Sequence, residues 1–393
     1  MAAEHPKVLF VTGEYPPMVG GVGRFTAELA GALQAQGARV AVLTDEQVTV
    51  SEGSDAVRVL PGRRSWGWGI LSEIPARARA VGAEWVHVQY QTAAYRMHPA
   101  INALPYFLWR QGLRAAWTYH DLRIPYLFPK AGARLRNWVT RLPLRAADAV
   151  VVTNQSDWEA VQWQVQRGQL HRIPIGNDIK SRRFSAEERI QRRAARGYGS
   201  GQLVLGYFGF LNASKGGLTL IETLAALAGE GRDVHLLMIG DRVGASDETN
   251  FRYLQRVEAS IAEQGLENRV QWTGHQSDAE VAADFNAIDV LVMPYEDGMS
   301  MRRSTLTAAL ANGCAIVTTH PQDPTPELRA DSDLILVPPR DPAAAAEAVR
   351  CIAEDPRLAE KLRVNARKAA RQFSWEVIAA RHLEMYNAQS VLP

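Results

Sequence analysis

Cysteine is scarce in this sequence, which contains only Cys314 and Cys351 among 393 residues. The two are far apart and do not show the short paired spacing of a zinc site or a disulfide-rich scaffold. We therefore expect two unpaired thiols in a protein of the reducing cytoplasm. The sequence also lacks any run of the ~20 apolar residues that a membrane-spanning helix needs. Its first residues have no long apolar segment before a cleavage site, and they are better explained as a first strand than as a signal peptide.

Neither sign of charge dominates the composition. The chain has 44 lysines and arginines against 42 aspartates and glutamates, a formal net charge of +2. Without a strong positive excess there is no general reason to expect nucleic acid as a partner. Hydrophobic residues make up 47% and charged residues 22%, as in an ordinary globular protein. The length is sufficient for two domains, each with its own core.

Short apolar runs alternate with longer segments of helical period, a pattern typical of βα units and parallel sheets. The runs of the first half are KVLFVTG, ARVAVLT, AVRVLPG, WVHVQYQ, AAWTYHD and AVVVTNQ. Those of the second half are LVLGYFGF, VHLLMIGD, RVQWTGH, VLVMPY, AIVTTHP and LILVPP. The sequence thus predicts an α/β protein with two Rossmann-like, doubly wound domains, whose ligands bind at the carboxyl ends of the strands.

The boundary between the halves is marked by a Pro- and Gly-containing turn, a basic helix and a Gly-rich break. We place a first domain at residues 1–178 and a second at 179–372. The remaining residues, 373–393, contain a helix with apolar positions at helical spacing, which could pack back on the first domain.

A glycine-rich loop follows the first predicted strand. Gly20, Gly21 and Gly23 precede a predicted helix, and such a loop can bring backbone N–H groups close to a phosphate or a sugar. The spacing nearly fits a dinucleotide-binding fingerprint, but Thr26 stands at the third glycine position and the loop is too long. A ligand-binding loop and a simple tight connection both stay open.

Cations at two helix starts in the second half need an explanation. Lys215 follows the first strand of this half, where a lysine can meet an anion or be merely solvated. In the segment EDGMSMRRSTLTAALANG, Arg302 and Arg303 stand at the predicted start of a helix. That end of a helix carries roughly half a positive charge, so removing a cation there should stabilise the free protein slightly. A bound diphosphate would offset the unfavourable position, whereas surface arginines of no consequence are the alternative.

A family resemblance is carried by ten motifs in order along the chain. They are YPPMVGGVGR, YHD, VVTNQSDWEAV, IPIGNDI, GFLNASKGG, LLMIGD, VQWTGH, DVLVMPY, ALANGCAIVTT and LILVPPRDPAAAAEAV. With them the chain resembles, nearly from end to end, the retaining glycosyltransferases of the GT-B fold, family-4 type. The resemblance implies two Rossmann-like domains facing a central cleft. It also implies transfer of a hexose-type sugar from a nucleotide-diphosphate donor, such as a UDP- or GDP-sugar, to an unidentified acceptor, with retention and with neither metal nor cofactor.

Two departures from the family pattern concern the donor site. Phe210 stands where the family usually has an arginine that grips the diphosphate together with the lysine. Ser300 and Ala308 stand where the family usually has a pair of glutamates, and Asp297 could replace the first of them. Position 210 lacks the guanidinium, and Arg302 and Arg303 have no other explanation. Together these facts suggest that diphosphate binding has moved to the predicted helix that starts at Arg302 and Arg303.

The resemblance and the two departures from it together predict the site residues, with Asp297, Arg302 and Arg303 taken from the departures. Those expected to act in catalysis are His120, Lys215, Arg302 and Arg303. Those expected to bind the donor diphosphate and sugar are Gly20, Gly21, Gly209, Asn212, Lys215, Asp297, Gly298, Met299, Ser300, Arg302, Arg303 and Ser304. Those expected to line the nucleoside pocket are Gly240, Asp241, Trp272, Thr273, Gly274 and His275. Asp331 and Asp333 have the spacing of a metal-binding motif from another glycosyltransferase fold, but we expect a polar turn there.

Basic segments leave a question about partners. Around the end of the first half they comprise Trp138 with Arg134, Arg136, Arg141 and Arg145, followed by Arg182, Arg183, Arg189, Arg192, Arg193 and Arg196. They are either solvated helix faces or a surface that attracts an anionic acceptor or acidic lipids, which would place the protein at the inner face of a membrane. Two other functions also remain, a sugar-nucleotide epimerase of the same fold and a non-catalytic sugar-nucleotide binding protein.

Overall fold

The computed structural model describes residues 5–18, 20–46, 48, 57–63, 65–122, 132–177, 179–242 and 248–388. The chain forms two compact units, one of Met1–Gly176 with Phe373–Pro393 and one of Asn177–Gln372. The division falls beside the expected boundary at 178, a residue that lies outside the described ranges. Among the described helices, none is long and apolar enough to span a bilayer.

The first unit contains a seven-stranded parallel sheet with the order β3-β2-β1-β4-β5-β6-β7. Its strands are β1 (Lys7–Thr12), β2 (Arg39–Asp45), β3 (Arg58–Arg63), β4 (Trp85–Tyr90), β5 (Arg114–Tyr119), β6 (Ala149–Val152) and β7 (Gln169–Arg172). The first six coincide with the predicted runs. The edge strand β7 was not predicted, because its sequence QLHR is mostly polar and only partly buried.

The helices of the first unit are α1 (Gly21–Ala35), α2 (Ile70–Ala80), α3 (Ala100–Trp109), α4 (Gly132–Thr140), α5 (Pro143–Ala146), α6 (Gln155–Val161) and, numbered in chain order, α14 (Trp375–Ala388). The C-terminal helix α14 packs on α1, and the Trp375 ring lies 5.3 Å from that of Phe25. A Cβ on Gly176 would come within 2.5 Å of the Trp375 ring, so the last residue before the boundary has to be small.

The second unit contains a six-stranded parallel sheet with the order β10-β9-β8-β11-β12-β13. Its strands are β8 (Leu203–Phe208), β9 (Val234–Ile239), β10 (Val270–Trp272), β11 (Val290–Met293), β12 (Ile316–Thr319) and β13 (Ile335–Val337). Its helices are α7 (Ala186–Ala195), α8 (Gly217–Gly229), α9 (Glu248–Glu263), α10 (Asp278–Ala287), α11 (Ser304–Ala311), α12 (Pro342–Glu354) and α13 (Pro356–Ala370).

Both units therefore have the predicted α/β architecture. In each sheet the strand order reverses beside the first strand, between β1 and β4 and between β8 and β11. Such a reversal leaves a crevice at the carboxyl ends of the two strands, the usual ligand position in doubly wound sheets. The crevice of the second unit lies between the loops that carry Lys215 and Arg303.

The cap of α6 differs from the one that its sequence pattern favours. In VVTNQSDWEAV, Ser156 and Glu159 have the spacing of a capping box, but α6 is capped by Asn154, whose side chain accepts from the Asp157 N–H. Glu159 instead accepts from Gln155 at 2.7 Å. Since α6 begins at Gln155, Ser156 lies inside its first turn and cannot be the residue that caps it.

The arginines of the basic helix α7 are neither a solvated face nor an anion-binding surface. Arg192 and Arg196 donate to the carboxylate of Asp284 on α10, at 2.7 and 2.6 Å, and Asp284 is fully buried. Arg189 and Arg193 donate in the same way to Asp289, which precedes β11. Four cations thus share two carboxylates, and the network fixes α7 against α10 and the sheet.

Removal of the shared carboxylate should destabilise the second unit. In Asp284→Ala, two largely buried guanidinium groups lose their counter-ion, and breaking a buried pair costs about 3–5 kcal/mol of unfolding free energy. Urea denaturation measures this loss. Glu354→Ala, which removes an exposed partner of Arg232, is the matched control and should change stability little. Equal stability of the two variants would contradict a structural role for the network.

Candidate functional site

The loops after β8 and β11 are joined by a backbone hydrogen bond and a close backbone contact. The Glu296 N–H donates to the Ser214 carbonyl at 2.9 Å. Gly216 has φ +70°, and a Cβ on it would lie 1.8 Å from the Pro294 carbonyl oxygen. Glycine is therefore required at 216 both by conformation and by the close approach of the other loop. Asn212 completes the first loop by accepting from the Ser214 hydroxyl at 2.9 Å.

Lys215 lies within this fastened pair of loops. Its Nζ is 3.4 Å from the position that a Cβ would take on Gly209, and the methyl group of Thr305 on α11 is 3.2 Å from the same position. The lysine thus reaches across Gly209 toward the start of α11. Burial, followed by the nearby positive charge of Arg303, lowers the pKa of Lys215 to about 8. The structure therefore places two cations close enough to repel one another.

Arg303 is held by three partners. Its Nη2 lies 2.6 Å from both carboxylate oxygens of Asp297, and its Nη1 donates to the Gly298 carbonyl at 3.2 Å. The guanidinium also lies over the ring of Tyr295, 4.0 Å from its centroid. The sequence assigned Asp297 to sugar hydroxyls, but both of its oxygens are engaged, and its first role here is that of counter-ion. We now expect removal of Arg303 to destabilise the free protein rather than to stabilise it.

Tyr295 and Thr305 are site residues that the sequence interpretation missed. The Tyr295 hydroxyl lies 3.0 Å from the Thr305 hydroxyl, and the Tyr295 carbonyl accepts from Thr319 at 2.7 Å. Burial is the main cause that raises the pKa of Tyr295, so the phenol is neutral beneath Arg303. The motif VMPY contains the only local signal, an aromatic residue directly after the strand-ending Pro294.

The rest of the loop after β11 differs from its expected role. Gly298 has φ +78°, and a Cβ there would lie 2.5 Å from the His320 carbonyl oxygen. Met299 is buried and its N–H donates to the Thr319 carbonyl, so this N–H is not open to a sugar. Ser300 accepts from the Arg302 N–H at 3.3 Å, and Arg302 itself is exposed.

The start of α11 supplies further positive potential. The helix begins at Ser304, has no side-chain cap from Arg303 and has no acidic residue in its first turn. The first N–H groups of any helix lack intrahelical acceptors and carry the positive end of its dipole. These N–H groups, Lys215 and Arg303 together make a site suited to an anion.

The residues expected around a nucleoside lie together at the ends of β9 and β10. Gly240 and Gly274 form a β-bridge, and the Gly240 N–H donates to the Thr273 hydroxyl at 2.9 Å. Asp241 and His275 are 3.3 Å apart and solvent-accessible. A residue that the sequence interpretation missed, Arg242, lies over the Trp272 ring at 5.0 Å.

Backbone hydrogen bonds connect these residues at the ends of β9 and β10 to the loop after β8, which carries Lys215. The Leu211 N–H donates to the Arg242 carbonyl at 2.9 Å, and the Gly209 N–H donates to the Ile239 carbonyl at 3.2 Å. The carboxyl ends of β8, β9, β10 and β11 therefore form one continuous surface of the second unit.

The glycine-rich loop of the first unit serves a different purpose from the one expected. The Glu14 carboxylate accepts from the N–H groups of Val22 and Gly23 at 2.9 and 3.1 Å, at the start of α1. A Cβ on Gly20 would lie 2.4 Å from that carboxylate, whereas a Cβ on Gly21 would meet nothing within 4 Å. Gly20 thus makes room for Glu14, and an internal carboxylate occupies the helix N-terminus that a phosphate would need. Only Gly21 faces open space.

His120 follows β5 in the first unit. Its Nε2 lies 2.9 Å from the Gln89 side-chain oxygen, and its ring packs edge-on against Phe25 at 4.7 Å. Burial, followed by the charge of His382, lowers the pKa of His120 to about 3. The imidazole is therefore neutral at physiological pH and can exchange hydrogen bonds with a ligand but cannot act there as a cation.

Asp331 and Asp333 form the polar turn that was expected. Asp333 is buried and accepts from the Arg329 N–H at 2.9 Å and from its guanidinium at 3.1 Å. Within the described ranges, no three His, Cys, Asp or Glu side chains gather in a way that could hold a metal ion.

Two family models match the chain, one in each half. The model described as "Glycosyltransferase Family 4" matches residues 19–181. The model described as "Glycosyl transferases group 1" matches residues 202–355. The two matches together cover most of the sheet and helix elements of both units, including every site residue named above in the second unit.

Curated relatives are similar over part of their length. The chain is 27% identical over 252 residues to the alpha-D-kanosaminyltransferase of Streptomyces kanamyceticus, covering 61% of this chain and 60% of that protein. It is 35% identical over 91 residues to the 2-deoxystreptamine glucosyltransferase of the same organism, covering 23% of this chain and 21% of that protein. The chain thus spans less than two thirds of the length of these relatives.

Solved structures share the fold over almost the whole chain. Sucrose-phosphate synthase from Thermosynechococcus elongatus has a TM-score of 0.70 at 22% identity, covering 98% of this chain and 99% of that one. The Anabaena protein HepE in complex with UDP has a TM-score of 0.75 at 18% identity, covering 97% and 100%. At such identities the likeness concerns the fold.

The lowered pKa of Lys215 can be tested without a substrate. Acylation of the Lys215 amine, followed by mass spectrometry, should rise with pH around a midpoint of about 8. Arg303→Ala removes a neighbouring cation and leaves Asp297 without its partner, so the protonated amine is favoured and the midpoint should move to higher pH.

Arg302→Ala is the matched control, because it removes the adjacent cation, which is exposed and is not among the causes of the lowered pKa of Lys215. The same shift in both arginine variants would show that general surface charge, rather than the contact across Gly209, sets the lysine's pKa.

Proposed function

The chain belongs to the family-4 type of glycosyltransferases and has their GT-B fold, and from this premise we propose that it transfers a hexose-type sugar from a nucleoside-diphosphate donor with retention and without a metal ion. The observation that carries the proposal is the meeting of Lys215, Arg303 and the start of α11 at the crevice between β8 and β11. The relatives matched are named as transferases and synthases, so neither an epimerase nor a non-catalytic binder is favoured.

The cations answer the main electrostatic demand of the reaction. When the anomeric C–O bond of the donor breaks, its electron pair goes to the diphosphate and the sugar becomes oxocarbenium-like. Fixed cations and helix N–H groups aimed at the departing diphosphate stabilise this charge separation. Lys215 supplies a desolvated ammonium, Arg303 a guanidinium held by Asp297 and Tyr295, and α11 its first N–H groups.

Two observations favour Arg303 over Arg302 as the residue that binds the diphosphate. Arg303 is oriented by Asp297, Gly298 and Tyr295 and is close enough to lower the pKa of Lys215. Arg302 is exposed and is not among the causes of that shift. We therefore assign the diphosphate grip to Arg303. Phe210 is exposed, so an arginine, which other family members have at that position, could replace it without disturbing the core.

The nucleoside is assigned to the surface at the ends of β9 and β10. Trp272 offers a ring face under Arg242, while Asp241 and His275 offer polar groups that remain accessible. HepE has been crystallised with UDP and with UDP-glucose, which supports a donor of this class here. In the first unit, neutral His120 can exchange hydrogen bonds with a ligand of that unit, and Gly21 faces open space.

The grip can be tested by nucleotide binding. A thermal-shift panel of UDP, GDP, ADP and dTDP selects the nucleotide, and calorimetry then measures its affinity. Arg303→Ala should weaken binding by ~1.5–3 kcal/mol, the range for hydrogen bonds to charged groups. Arg303→Lys should also weaken nucleotide binding, because the ammonium group of lysine cannot bind two phosphate oxygens in the planar, bidentate geometry of a guanidinium.

Two further variants complete this experiment. Arg302→Ala should bind the nucleotide more nearly as wild type does. Phe210→Arg added to Arg303→Ala should restore part of the lost affinity. Wild-type affinity in Arg303→Ala would refute the assignment of the diphosphate to this side chain.

Metal independence is tested with the matching donor sugar. Because Lys215 and Arg303 are proposed to neutralise the diphosphate, EDTA should leave donor turnover unchanged, measured as transfer or as slow release of free sugar. Loss of turnover on chelation with recovery in Mn²⁺ or Mg²⁺ would overturn the metal-free mechanism. Formation of a C2-epimerised nucleotide sugar from the donor alone would instead support the epimerase.

A further inference from the structure

One face of the first unit exposes large apolar side chains. Trp163 is 88% exposed, Trp109 54%, Leu135 51% and Trp138 49%, and Phe107 is exposed beside them in sequence. Tryptophan is rarely left in water to this extent, and grouped exposed apolar residues mark an interaction site. We call Phe107, Trp109, Leu135, Trp138 and Trp163, with the arginines named next, the aromatic–arginine surface.

The three elements that carry these residues touch one another. The Arg167 guanidinium lies 4.8 Å from the centroid of the Trp109 ring, which joins the segment after α6 to the end of α3. The Arg141 Nη1 donates to the Gln164 side chain at 2.9 Å, which joins the end of α4 to the same segment. Trp109, Trp138 and Trp163 therefore belong to one region of the surface and not to separate parts of the unit.

Basic residues predominate in this region. The described stretches 100–120 and 132–147 contain no aspartate or glutamate, but they contain Arg110, Arg114, Arg134, Arg136, Arg141 and Arg145. Asp121 directly follows the first stretch, and Asp148, which directly follows the second, is paired with Arg167 at 3.0 Å. The whole chain is nearly neutral at +2, so this positive excess is local.

The pattern on α4 places apolar and basic side chains side by side. Leu135 and Trp138 are three residues apart and Arg134 and Trp138 are four apart, so that all three share one face of the helix. Tryptophan with arginine is the combination found where a helix lies in a lipid interface, the ring at headgroup level and the guanidinium on the phosphates.

We propose that the aromatic–arginine surface docks the protein on an anionic phospholipid bilayer. The tryptophan rings enter the interface, and the arginines supply attraction to acidic headgroups. The inference goes beyond sugar transfer and does not depend on it, since it rests on side chains of α3, α4 and the segment after α6 that have no part in the donor site.

Vesicle sedimentation of the full chain tests the proposal. The protein should sediment with vesicles that contain phosphatidylglycerol and stay in solution with pure phosphatidylcholine, and added salt should weaken binding. Brominated lipid should quench tryptophan emission in the bound state. Trp138→Ser with Trp163→Ser should lower affinity about tenfold or more and remove most of the quenching. Arg134→Gln with Arg145→Gln should lower the affinity for vesicles that contain phosphatidylglycerol, because these substitutions remove the attraction to acidic headgroups.

A matched control comes from the second unit. Phe251→Ser with Arg252→Gln removes an exposed aromatic residue and its exposed neighbour on α9, and it should bind vesicles as wild type does. Thermal unfolding and nucleotide binding verify that every variant is folded. The proposal is overturned if wild type binds neither vesicle or both equally, if the surface variants bind like wild type, or if a single-stranded oligonucleotide binds the surface while vesicles do not.

Discussion

The close approach of Gly216 to the Pro294 carbonyl is the constraint on which the second unit's site depends. A methyl group at position 216 would lie 1.8 Å from that oxygen, so any other residue would force the loops after β8 and β11 apart. Lys215 immediately precedes this contact, and the hydrogen bond from Glu296 to Ser214 lies beside it. The position of the lysine is thus set by backbone packing between the two loops. An amine placed in this way stays available for a ligand.

Charge within the site is arranged by the same loops. Arg303 has a carboxylate, a carbonyl and an aromatic ring as partners, whereas Lys215 is half-buried and has its pKa lowered to about 8. The two cations therefore repel across Gly209 in the free protein, and a diphosphate would remove that repulsion. Part of the binding free energy of such a ligand comes from this relief, because the protein holds the cations together at some cost before the ligand arrives.

Local sequence patterns were sufficient to predict most of the strands, because buried parallel strands are short apolar runs whatever their neighbours are. Contacts between distant segments were not predictable. The arginines of α7 looked like a solvated face until Asp284 and Asp289, about a hundred residues later, proved to pair with them. Asp297 looked like a sugar ligand because the distance to Arg303 is invisible in sequence. The edge strand β7 was missed since it lacks the apolar run on which strand prediction relies.

A comparison of the two helix starts indicates where the anion belongs. Both α1 and α11 follow a strand at the reversal point of a parallel sheet, where a phosphate would find free N–H groups. At α1 the Glu14 carboxylate already accepts from two of these groups, and Gly20 is glycine so that this carboxylate fits. At α11 there is no cap and no acid in the first turn, and Arg303 stands beside it with Lys215 close by. An added negative charge would be repelled by Glu14 at the first position and attracted by two cations at the second. The same topology thus has opposite electrostatics at the two helix starts, and the start of α11 is the one that suits an anion such as the proposed diphosphate.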